Sequence, residues 1–115
     1  MSRYSVKNIY IDDFVYDEIK ENCFERVYNK FPKKGLFQIV YGFDHACGYF
    51  IQFFPEDEIA KINAARINYC SDLDGGYIDI DSLFDGLSGS QLGFMLKLFN
   101  ANEDHVELAY LDLPL

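Results

Sequence analysis

Asp44, His45 and Cys47 stand within four residues of one another, and together they supply an orienting acid, a base and a nucleophile. A working Cys–His pair must be held at hydrogen-bonding distance, with a third group behind the base and an oxyanion site nearby. Residues two apart in a tight turn seldom meet that geometry, so Asp44 is expected to serve the turn and Cys47 to pack. Cys70 to Asp81 places Asp72, Asp74 and Gly75 at EF-hand positions three, five and six. A calcium loop also needs a hard oxygen at its first position and a bidentate carboxylate at its twelfth, and here those are a soft thiol and the shorter Asp81. A solvated acidic loop is therefore expected. No CxxC or HxxxH spacing suggests zinc. Gly86-Leu87-Ser88-Gly89-Ser90-Gln91-Leu92-Gly93 is glycine-rich and enters a helix, but it lacks the lysine of a P-loop and does not come after a strand. The expectation is a protein without metal, cofactor or catalytic centre. A small calcium-binding or Cys-dependent enzyme is the alternative from another class.

The carboxylates offer recognition instead. Glu56, Asp57, Glu58, Asp72, Asp74, Asp79, Asp81 and Asp85, with Tyr77 among them, form the candidate partner-binding series. If Tyr77-Ile78-Asp79-Ile80-Asp81 is extended, alternation puts both aspartates on one face about 7 Å apart, near the spacing of adjacent phosphates. Such pairs suit an Arg/Lys groove built for a nucleic-acid backbone. Net charge is −9: residues 1–55 balance seven acidic against seven basic side chains, while residues 56–115 hold twelve acidic and three basic ones. A field of that sign repels nucleic acid and favours a basic protein partner. The plainer explanation of the same charge is solubility.

The elements that must position these groups are legible in outline. Half of the 115 residues are apolar, enough for one core, and a single domain spanning 1–115 is expected. Residues 3–11 predict a strand. Asp12 and Asp13 then cap a helix over about 13–31, with Tyr16, Ile19, Cys23, Val27 and Phe31, joined by Phe24 and Tyr28, on its apolar face. Lys30, Lys33 and Lys34 gather at its C-terminal end, where the helix dipole favours cations. Leu36–Phe43 and Tyr49–Phe54 predict a hairpin across Asp44–Gly48, with aromatics on both faces. The second face is either closed within the domain or covered by another chain, a homodimer included. Residues 65–70 read equally as a third strand or as a helix continuing from Glu58. Asp74-Gly75-Gly76 predicts a turn. Short helices come next, over 81–87, from Ser88 or Ser90 through Phe99, and from Glu103 to Leu113, with His105 an exposed polar residue of the last. The fold class is therefore α+β: an antiparallel hairpin or meander packed by an N-terminal helix and two or three C-terminal helices.

Phe84, Gly86, Leu87, Gly89, Ser90, Leu92 and Gly93 form a pattern that resembles one in the phage anti-CRISPR proteins, in particular a type I-F inhibitor. The match spans ten positions whose glycines and serine suit a helical corner, so no functional residue is transferred with it. The resemblance implies a non-enzymatic inhibitor that covers a basic, nucleic-acid-binding surface of a CRISPR effector. An immunity protein or antitoxin neutralising a basic nuclease is the alternative with the same physics. No apolar run approaches a bilayer span, and the N-terminus lacks the apolar core of a secretory signal. The three scattered cysteines suit reduced thiols, so a cytoplasmic location in a bacterial host is expected.

Overall fold

The computed structural model describes residues 1–71 and 75–115. Four strands, β1 (Tyr4–Ile11), β2 (Gly35–Asp44), β3 (Gly48–Pro55) and β4 (Ile78–Asp81), pair antiparallel in the order β1-β2-β3-β4. The fold is α+β, and the sheet is a meander, completed by β4 and not by residues 65–70. Its helices are α1 (Asp13–Asn22), α2 (Glu25–Tyr28), α3 (Glu58–Ile67), α4 (Ser82–Asp85), α5 (Gly89–Leu98) and α6 (Glu103–Tyr110).

Alternation sorts the sheet. Phe37, Ile39 and Tyr41 of β2 lie beside Ile51 and Phe53 of β3, which pair in turn with Ile80 and Ile78 of β4, and all seven are fully or almost fully buried. Each such side chain contributes about 1.5–3 kcal/mol relative to exposure. Ile19, Ala60, Ala64, Leu92, Met95 and Leu96 join the same cluster from α1, α3 and α5. Phe31 seals it, edge-on to Phe53 at 5.1 Å and stacked on Phe99 at 6.2 Å. The other sheet face is covered only in part: Val40 and Phe50 are buried there, Arg3 donates from Nη2 to Gln52 Oε1 at 3.2 Å, and Phe54 stacks on Tyr77 at 4.9 Å, with Tyr77 itself exposed.

Side-chain caps start five of the helices. Asp12, Asp57, Asp81 and Ser88 each accept from the backbone N–H three residues on, at 3.0, 2.8, 2.7 and 3.1 Å. Asn102 accepts from Asp104 and His105. Each cap is worth about 1 kcal/mol.

The predicted helix over 13–31 is broken. Cys23 and Phe24 are extended, and the Phe24 N–H donates to Gln91 Oε1 of α5 at 3.0 Å, a tertiary bond that takes the place of a helical one. The break shifts the helical phase from residue 24 onward, so the Phe24 side chain faces solvent instead of the core. Residues 58–67 are helix, with Ala60 and Ala64 inward. The β2 backbone enters at Gly35, with φ of 131°, against the Ala60 backbone, where a Cβ has no room. The third partner of the hairpin is β4. Of the predicted turn Asp74-Gly75-Gly76, Asp74 lies outside the described residues, while both glycines have positive φ.

The segment Phe84–Gly93 is the α4–α5 corner. Gly86 ends α4 in the left-handed conformation, Ser88 starts α5, and Gln91 Nε2 donates to both Gly86 O and Ser88 Oγ at 3.2 Å. Gly89 and Gly93 then face α6: a Cβ at 89 would strike the Ala109 carbonyl, and one at 93 would press on the Tyr110 ring at 3.2 Å. The glycines allow α5 and α6 to pack closely.

Candidate functional site

Among the described residues, the predicted carboxylates are tied into different parts of the fold. Glu56 accepts from the Asn8 N–H at 3.1 Å, at the irregularity in β1 where Asn8 has positive φ. Asp57 caps α3, and Glu58 is an exposed partner of Lys61 at 3.6 Å. Asp72 and Asp74, two of the EF-hand-like positions, lie outside the described residues. Tyr77 holds Phe54 by stacking.

Asp79 and Asp81 do share the sheet face opposite the core, as alternation requires, but their carboxylates do different work. Asp81 is buried and bonded to the N-terminus of α4. Its backbone N–H donates to Asp85 Oδ2 at 3.1 Å, and its C=O accepts from Leu87, so the outer edge of β4 is closed at this residue. Asp85 is buried too, with Lys30 Nζ on the same Oδ2 at 3.1 Å. Asp81 and Asp85 are thus occupied in holding β4, α4 and the end of α2 together.

Asp79 remains half-buried. Burial, and then the neighbouring Asp81, raise its carboxyl above the ordinary range, with Asp85 adding to this; a hydrogen bond from Gln52 and the charge of Lys30 act in the opposite sense. The folded state therefore holds this proton more tightly than the unfolded chain. Stability falls as pH rises from the ordinary carboxylate value through the raised one. Asp79→Asn is expected to raise Tm above that window and to match the parent below it. Thermal melts across pH check this, and an equal or lower Tm at neutral pH would contradict it.

The Asp44-His45-Cys47 turn forms as expected, with Asp44 Oδ1 accepting from Ala46 N at 2.7 Å. His45 lies edge-on to Phe43. Burial, followed by Asp81, Asp44 and Asp79, pushes the Cys47 thiol up, so the surroundings oppose a thiolate. Burial alone raises Cys23 to about 11. Among the described residues, no group of three His, Cys, Asp or Glu side chains converges as a metal site. His105 departs from its predicted exposure: Nδ1 is 2.7 Å from the Tyr41 hydroxyl, and the ring lies 4.1 Å from that of Tyr4. It pins the start of α6 to the sheet.

A further surface lies outside the carboxylate series. Between α5 and α6 lies a groove of about 620 Å³, lined by Lys97, Asn100, Ala101, Glu103, Val106, Glu107, Tyr110 and Leu111. Its floor is apolar, and Leu111 is 60% exposed. Glu103 and Glu107 stand one helical turn apart, about 6 Å along the axis. Among the described residues neither is in an ion pair, and Asp104 adds a third exposed carboxylate. Glu103 and Asp104 also suit the helix N-terminus, whereas Glu107 lies beyond the first turn, where the dipole has faded. The signal was present in the sequence as Glu103/Glu107 and Val106/Tyr110, two pairs at four-residue spacing.

No protein-family model matches the chain, and neither a curated protein nor a solved structure matches it. No helix among the described residues is long and apolar enough to cross a membrane.

Proposed function

We propose that this chain is a small acidic, non-enzymatic inhibitor that binds a basic protein and covers its nucleic-acid-binding surface. The observation that supports this best is the α5–α6 groove, an apolar floor edged by Glu103 and Glu107. Its occupant is a cationic amphipathic helix of the partner: apolar side chains at three- and four-residue steps fill the floor, and lysines or arginines meet the carboxylates. The net charge of −9, concentrated after residue 55, steers a basic partner toward the chain and repels free nucleic acid. The Phe84–Gly93 resemblance to anti-CRISPR proteins contributes a helical corner and no contact residue. An effector complex and a nuclease toxin are both partners of the required chemistry.

The test is capture from host lysate on tagged protein at low and high salt. A nucleic-acid-binding protein retained at low salt and released at high salt is expected, with its own nucleic-acid binding lost in the complex. Glu103→Lys with Glu107→Lys should weaken that complex by about 100-fold, since like charges then face each other across the groove. Asp79→Lys, on the sheet face opposite the core, should leave it unchanged. Retention that survives the double reversal would remove this groove from the interface.

A further inference from the structure

A second cavity, sharing no residue with the α5–α6 groove, lies between α1, the end of α2 and α3. Its volume is about 430 Å³, within the range of small-molecule sites, about 300–1,000 Å³. Lys33 and Arg66 line it. In a chain with 19 carboxylates and ten Lys and Arg residues, two cations turned toward one cavity call for an anion. Among the described residues neither is in an ion pair; Lys33 instead lies over the Tyr16 ring, with Nζ 5.8 Å from its centroid. Helix C-termini favour nearby cations, which accounts for Arg66 in the last turn of α3. It does not account for the rest of the lining.

That remainder is amide and aromatic. Asn29 and Asn63 face the cavity, and Asn63 donates one amide hydrogen to Ile59 O at 2.9 Å, which leaves Oδ1 and its second N–H for a ligand. Tyr16 lies at one wall. Tyr69 stands at the mouth, 98% exposed, on a backbone with φ of 52°. Few large side chains adopt that conformation; here it is fixed as α3 ends, with the Tyr69 N–H on Arg66 O and the Cys70 N–H on Ala65 O. The result is a ring that projects into solvent from the lining of a cavity that also carries two cations. Guanidinium and ammonium groups suit a phosphate, phenol rings stack on a planar base, and side-chain amides read hydrogen-bonding edges.

We propose that this cavity binds a mononucleotide, with its phosphate on Lys33 and Arg66 and its base between the tyrosines. One or two phosphates fit a local cationic cavity, while the −9 field excludes a polymer. The test is a titration of isotope-labelled protein with AMP, adenosine and inorganic phosphate, followed at the side-chain amide signals of Asn29 and Asn63. Saturable shifts are expected with AMP at millimolar concentration or below, and adenosine and phosphate should each bind more weakly. Arg66→Gln and Lys33→Gln, both outside the buried core, should keep the folded spectrum and weaken AMP by about tenfold each. Absence of saturable shifts, equal AMP binding by the variants, or phosphate alone binding as tightly as AMP would overturn the proposal.

Discussion

Gly89→Val is expected to cost about 3 kcal/mol or more. Even a Cβ at this position meets the Ala109 carbonyl, a backbone atom that cannot rotate away, with Asp112 and the Tyr49 ring at 3.2 Å on its other sides. Relief requires α6 to move off α5, which strips cover from the Leu92–Met95–Leu96 side of the core and pulls on the Tyr49 hydroxyl bond to Leu113 O, 2.9 Å in the parent. Gly93→Ala provides the contrast. Its Cβ would press only on the Tyr110 ring at 3.2 Å, and a half-exposed ring can shift, so the expected cost is below about 1 kcal/mol. Urea melts of the two variants check the pair. Equal midpoints would mean that close approach of α6 is not what these glycines provide.

Asp85→Ala is expected to cost about 2–4 kcal/mol. One carboxylate oxygen accepts both the Asp81 N–H and Lys30 Nζ, each at 3.1 Å, and Asp85 is buried. Its removal leaves a backbone donor at the edge of β4 without its partner, which carries most of the cost. Lys30 contributes less than a sealed ion pair would, because its side chain is 39% exposed and can turn to water. Asp85→Asn keeps an oxygen for the N–H and should lose roughly half as much. The reverse ranking in denaturant melts would place the importance of Asp85 in the ion pair instead of the backbone bond.

These two sites also show what a sequence can and cannot disclose. The hairpin, the cap at Asp12 and the helical corner at residues 86–93 were all legible, with Ser88 and Ser90 both open as its cap, because each depends on residues within a few positions of one another. The break after Asn22 was not: the Phe24 N–H freed there is taken by Gln91, 67 residues away. His105 reads as a surface residue until the tertiary fold brings Tyr41 to its ring. The carboxylates were hardest to sort. Aspartate caps a helix for the same reason that it meets arginine, since backbone N–H and guanidinium both donate hydrogen bonds to it, so Asp57, Asp81 and Asp85 resemble recognition residues while serving the fold. Glu103 and Glu107 are, in the sequence, indistinguishable from the solvated polar positions of any amphipathic helix. Their neighbourhood with Ala101 and Leu111 exists only once α5 and α6 are folded together.

Whether the α5–α6 groove is the binding surface can be read from hydrogen exchange on the chain, free and in complex with the protein it captures. Protection confined to the end of α5 and to residues 103–111, with the β3–β4 strands unchanged, is the predicted footprint. Protection spread over Gln52, Asp79 and their neighbours on the sheet face opposite the core, with α6 exchanging as in the free chain, would contradict it.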